Sequence, residues 1–163
     1  MTFVKSGNER FATVFVGSER MSRAFFPERF RTIDRLALPD APVNRKVRFS
    51  VDPSLKRGID FRVNKALHAS DKPVYVGELQ VWEVFTASLM DLPFHLLGFF
   101  FQVLEINGKK PAWRSMEDVI NVPPRATVRI AWYPDDRPGS WMYHCHILEH
   151  HAAGMMAHFD VVR

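Results

Sequence analysis

Apolar and polar residues alternate along residues 77–85 (Gly-Glu-Leu-Gln-Val-Trp-Glu-Val-Phe), and a period of two marks a strand with two distinct faces. Leu79, Val81 and Glu83 fall on one face, Gln80, Trp82 and Val84 on the other. Residues 126–132 alternate in the same way. Residues 98–106 form a nearly continuous apolar run, the pattern of a buried strand. Residues 46–51, 58–64, 140–146 and 155–162 read as further strands. Between them, Asn107-Gly108 is a tight-turn signal and Pro134-Asp135-Asp136-Arg137-Pro138-Gly139 a second turn. With residues 9–17, which alternate and end at Gly17, this makes about eight strands and no long helix. The expected fold is all-β, a Greek-key β-sandwich.

Residues 18–44 carry Pro27, Pro39 and Pro42 and no sustained period, so they read as a connector with room for a short helix. The expected organisation is an N-terminal strand with a connector arm over residues 1–44 and a sandwich domain over 45–163. The first strand is apolar and isolated. It needs a partner, either the sandwich's own sheet or another subunit's.

Composition narrows the function. The 163 residues are 47% hydrophobic and 25% charged, with 14 Phe and 11 Pro, which suits one soluble domain with a proper core. The single cysteine excludes an internal disulfide. The net charge of +4 comes mainly from Arg20, Arg23, Arg29, Arg31, Arg35, Arg45, Lys46 and Arg48. These are spread through a proline-containing connector and do not form a basic face with aromatic platforms, so no nucleic-acid partner is expected. No apolar run approaches the ~20 residues of a membrane span, and Met1-Thr2-Phe3-Val4-Lys5 does not open a signal peptide. No Gly-rich phosphate loop or Gly-x-Ser-x-Gly elbow is present.

The chemistry concentrates in Tyr143-His144-Cys145-His146-Ile147-Leu148-Glu149-His150-His151-Ala152-Ala153-Gly154-Met155-Met156. This run holds the only cysteine, four of the seven histidines and two of the seven methionines. On a strand His144 and His146 share one face and Cys145 points to the other, so one strand can serve two metal centres back to back. His150 and Met155 lie beyond the strand, where a turn can return them towards the sulfur. A thiolate, imidazoles and a weak axial thioether form the blue-copper donor set.

The run resembles the last copper motif of the multicopper oxidases, the laccases and their relatives, in their C-terminal cupredoxin domain. Met90-Asp91-Leu92-Pro93-Phe94-His95-Leu96-Leu97-Gly98-Phe99-Phe100-Phe101-Gln102-Val103-Leu104 is similar to that domain's other copper motif, a His-Pro-x-His-Leu-His-Gly run. The resemblance covers about residues 45–163 and implies a laccase-like enzyme with copper as cofactor, oxidising phenols or metal ions one electron at a time and reducing dioxygen. It implies that Cys145, His150 and Met155 serve the mononuclear blue site, with electron entry at His150 and Cys145. His95, His144 and His146 would serve the trinuclear cluster, which in the family is shared with another cupredoxin domain. The connector would join this domain to a preceding one, a partner missing from this chain, of which residues 9–17 would be the tail. A periplasmic or extracellular location would follow from the family.

Two positions depart from the pattern. The family has histidine where this chain has Leu92 and Leu97. Leu92 would leave the blue site short of a donor, to be filled by water, Asp91 or a shifted His151, and biased towards Cu(I). Leu97 would place a branched apolar group where a cluster ligand belongs, so the chain alone is expected to be inactive or weak as an oxidase. The alternative is a non-catalytic cupredoxin scaffold that forms a homo-oligomer and binds copper or zinc through His95, His144 and His146, three imidazoles with an open position. His68 and His158 read as isolated surface or packing histidines.

Overall fold

The computed structural model describes residues 2–4, 10–13 and 32–163. The chain falls into two units, Met1–Thr32 and Ile33–Arg163. In the first, β1 (Thr2–Val4) pairs antiparallel with β2 (Arg10–Thr13), with Thr2 opposite Thr13. The isolated strand expected at residues 9–17 therefore finds its partner locally, in a two-stranded sheet of its own. Residues 14–17 of that expectation, and most of the connector, lie outside the described residues.

The second unit is a sandwich. One sheet holds β3 (Arg45–Ser54), β4 (Gly58–Val63), β7 (Gln80–Thr86), β9 (Phe101–Ile106) and β11 (Thr127–Trp132), in the order β4-β3-β7-β11-β9. The other runs β10-β8-β12-β13-β5, with β6 also on β13. Its strands are β5 (Ala69–Ser70), β6 (Val74–Tyr75), β8 (Leu92–Leu96), β10 (Val119–Val122), β12 (Gly139–Cys145) and β13 (Met156–Val162). From β7 to β12 the chain crosses between sheets at every connection. The short helix α1 (Leu148–Ala152) sits between β12 and β13.

The alternation in β7 sorts as its pattern requires. Trp82 and Val84 enter the core between the sheets, and Val81 turns to the outside. Trp82 is the hub of that core, meeting Trp132, Tyr143 and Phe159 edge to face with ring centroids 5.1, 5.3 and 5.6 Å away. In β9, Phe101 and Val103 face the same core. Leu104, on the opposite face, is covered by Leu36, Ala37, Ala41 and Val43 of the connector, which also pack on Val81 and Ala131. The run is buried on both faces from Phe101 to Leu104, one inside the sandwich and one beneath the connector, while Phe100 before them is exposed. It becomes a strand only from Phe101, because Gly98 (φ 84°) turns the chain first.

Polar groups hold the connector on that sheet. The buried Gln102 side chain accepts from the Leu36 N–H at 3.0 Å and donates to the Asp34 carbonyl at 2.5 Å. Arg129 donates to the carbonyls of Pro39 and Ala41, and Asn44 exchanges two hydrogen bonds with the Val81 backbone. Each carbonyl taken from water thus finds a donor.

Arg137 governs the turn that follows β8. Its guanidinium donates to the Gly98 carbonyl at 2.6 Å, chelates Asp135 and lies 4.8 Å over the Trp141 ring. The Trp141 indole fills the space that a Cβ on Gly98 would need, and φ there is left-handed. We expect Gly98→Ala to cost about 3 kcal/mol from strain and overpacking combined. Thermal unfolding measures this, and Gly98→Ala with Trp141→Ala should relieve the packing part only.

Candidate metal centre

β12 lies between β8 and β13. Tyr143, His144 and Cys145 pair with Leu96, His95 and Phe94, and His144 is also opposite Met156. This register decides where the donors go. Tyr143 and Cys145 enter the core, fully buried, while His144 and His146 turn to the opposite face with His95.

Behind β12 the chain makes the short helix α1 and turns back at Gly154 (φ 109°), where a side chain would crowd Leu67 and His68. The His68 N–H donates to the Gly154 carbonyl at 3.0 Å, Met155 N–H to the His150 carbonyl at 2.9 Å and Cys145 N–H to the Met155 carbonyl at 3.1 Å. The loop is thereby closed onto the end of β12. His150 Nδ1 comes to 3.5 Å from Cys145 Sγ, and Met155 is buried in the same core as Cys145 and Leu92. The other face of the loop is covered by Phe61, whose ring stacks on the His150 imidazole.

On the far side of β12 the imidazoles of His95, His144 and His146 gather with centroids 4.7–5.8 Å apart. His144 Nδ1 lies 2.8 Å from the Cys145 carbonyl; donating there leaves Nε2 as its free donor atom. His95 Nδ1 is buried without any hydrogen-bond partner. An orphaned buried nitrogen costs free energy that a bound cation would offset. The rings are gathered but not converged: among the described residues no three His, Cys, Asp or Glu side chains form a ready-made ion position. A zinc ion held by these three imidazoles alone is therefore not preformed.

His151 stands with this cluster, stacked on His144 at 4.3 Å. It is not beside the sulfur, where its place in the sequence would allow it to complete the blue site. Asp91 is exposed, ahead of β8. Leu92 is fully buried on the sulfur's side of the sheet, and Leu97 is 39% exposed just past the end of β8. Phe61 is a participant that sequence reasoning missed, and His151, expected as a candidate beside the sulfur, joins the other cluster instead. Both meet the site through side-chain stacking across elements, which leaves no periodic signal.

Burial sets the electrostatics. Desolvation pushes the Cys145 thiol up to about 11, so without metal it is a neutral S–H able to donate to His150. Desolvation also lowers the pKa of His95, His144 and His150, with repulsion from neighbouring imidazoles adding to it for the first two. Neutral imidazoles are the form that binds a metal. The soft Cys145–His150 pair and the unpartnered His95 nitrogen thus fit copper, while Leu92 contributes no donor.

A β-sandwich carrying a buried Cys–His pair on the face opposite a histidine cluster is a cupredoxin domain. The chain belongs to the multicopper oxidase family, whose sequence profile matches residues 40–163. It is 36% identical to the multicopper oxidase Mco of Staphylococcus aureus over 96 residues, 54% of this chain and 21% of that protein. It is 29% identical to the multicopper oxidase MmcO of Mycobacterium tuberculosis over 105 residues, 63% of this chain and 20% of that protein. Among solved structures, a laccase from Pediococcus acidilactici superposes with a TM-score of 0.74 at 31% identity, covering 88% of this chain and 32% of that one. The McoA multicopper oxidase of Aquifex aeolicus gives 0.67 at 26%, covering 84% and 33%. The chain spans about a fifth of the length of these curated relatives. Copper is the cofactor of the family.

The shifts fix a pH dependence for the metal-free protein. The lowered histidines contribute stability that is complete above their ordinary pKa of 6.5 and lost as pH falls below it. The raised Cys145 contributes stability that is complete below the ordinary thiol pKa and lost as pH rises towards about 11. Melting temperature against pH should therefore fall on both sides of neutrality, and Cys145→Ala should reduce the alkaline loss without changing the acid side, the buried Tyr143 phenol accounting for what remains.

Proposed function

We propose that this domain is the copper-holding, electron-entry cupredoxin of a laccase-like multicopper oxidase, in a ligand-depleted form that does not reduce dioxygen alone. The observation that carries this reading is the placement of Cys145 and His150, 3.5 Å apart in the core, directly behind His95, His144 and His146 on the same strand pair. Cys145, His150 and Met155 would hold one copper, and His95, His144 and His146 would offer donors to a second centre completed by another cupredoxin domain or a second copy. Bound copper supplies one-electron redox chemistry. The chain's own residues orient and isolate it. His150, nearly buried, would present its outer edge to a reducing substrate such as a phenol or a metal ion. Cys145 links that edge through its own backbone to His144, and its carbonyl fixes the His144 tautomer.

Leu92 gives the sulfur's side only apolar packing. A three-donor soft set of Cys145, His150 and Met155 suits Cu(I) better than Cu(II). Leu97 offers no imidazole at its own position, and the fourth ring near that centre is His151, stacked on His144.

Copper titration of the metal-free chain tests this. With Cu(II) the wild type should show at most a weak thiolate-to-copper band, and Leu92→His should develop an intense visible band that is absent when Cys145→Ala is added. A Leu92→His protein that stays colourless would sink the site assignment. In the same preparations, phenol oxidation and dioxygen uptake should stay at background, and turnover by the wild type alone would contradict the ligand-depleted reading.

A further inference from the structure

We propose that Phe61 is a positioning residue for His150, holding the imidazole plane so that Nδ1 stays on the Cys145 sulfur and one ring face is closed to water. Phe61 lies on β4 of the five-stranded sheet, opposite Val51 of β3, whereas His150 belongs to the loop that ends the other sheet. Their rings stack across the gap between sheets with centroids 4.2 Å apart and planes 22° from parallel.

His150 has little else to orient it. Its helix is five residues long and lacks a side-chain N-cap, so it contributes little rigidity by itself. The one side-chain hydrogen bond found for the imidazole is the contact with Cys145 Sγ. A sulfur is a soft partner that constrains distance better than ring rotation. The stack supplies the missing constraint, because turning the imidazole about its χ2 would drive it into the Phe61 ring.

Phe61 is itself held firmly. The neighbouring Asp60 is buried, accepts from Arg62 at 2.6 Å and lies 3.7 Å from Arg57. Those pairs and the six-residue ladder to β3 fix the strand that presents the ring. The donor atom is therefore aimed before any ion arrives. The consequence for copper rests on the function proposed above, but the positioning can be tested without metal.

The test is nitrogen-15 magnetic resonance of the histidine imidazoles in metal-free wild type, Phe61→Leu and Phe61→Tyr, with Trp82 and Tyr143 signals reporting an intact core. In the wild type His150 should be one neutral tautomer, with Nδ1 accepting from the Cys145 thiol. In Phe61→Leu the tautomers should mix, and in Phe61→Tyr, which keeps an aromatic stack, the wild-type ratio should return. Cu(I) affinity, measured by competition with a chelator, should fall about tenfold in Phe61→Leu and recover in Phe61→Tyr. A Phe61→Leu protein with an intact core and the wild-type tautomer ratio overturns the proposal. The tautomer ratio alone decides it, so a wild type that binds no Cu(I) would count against the copper reading while the imidazole signals still settle the role of Phe61.

Discussion

Neighbouring side chains on a strand cannot share a face, and the end of β12 with the residue after it uses that constraint to keep two chemistries apart on three consecutive residues. Cys145 is driven into the core, where burial keeps it a thiol. His144 and His146 are driven out of it, onto a surface where His95 meets them from β8. A one-residue slip of β12 against β8 would exchange the two sets and put both imidazoles in the apolar core. The register His144–His95 is thus the condition for everything else in the site.

That register is secured around the candidate donors more than by them. Tyr143, two residues before Cys145 and on the same face, donates its hydroxyl to Asp71 and packs on Trp82. Arg45 lies 3.6 Å from Asp71 and 4.5 Å over the Trp82 ring, so a cation, a carboxylate and a phenol are held together, with Arg45 Nη1 paired by charge and not by a hydrogen bond. Burial lowers the pKa of that guanidinium, opposed by Asp71, and raises that of the phenol. On the far side, Arg137 and Trp141 fix the turn behind His95. His95, His144 and Cys145 sit on paired strands, while His146, His150 and Met155 lie on the short segment that joins β12 to β13.

The fold is most legible in the sequence where burial is one-sided or two-sided in a regular way. In β7 the alternation of Val81 and Trp82 identifies both faces, and residues 101–104 of the nearly continuous run ending at Ile106 are buried as its pattern requires, whereas Phe100 is exposed. The strand within that run begins later than the pattern does, because Gly98 makes a turn that hydrophobicity does not register. β5, β6 and β10 have two to four residues each, too few for a period to emerge. β8 hides inside a motif containing Pro93, a residue that usually argues against a strand interior. The candidate donors of the Cys145 run can be read because their spacing is local. Phe61, far from the motif in sequence, and His151, which reads as one more histidine in a rich tract, cannot, because a stack between elements depends on how the sheets pack.

The central claim is that Cys145 is the soft donor around which one of two back-to-back centres is built, even with leucine at position 92. X-ray absorption at the copper edge of the chain loaded with one equivalent of Cu(I) tests it most directly. A short copper–sulfur distance that disappears in Cys145→Ala is the expected result. A shell of nitrogen and oxygen alone, unchanged by that substitution, would put the copper on the histidine face and contradict the claim.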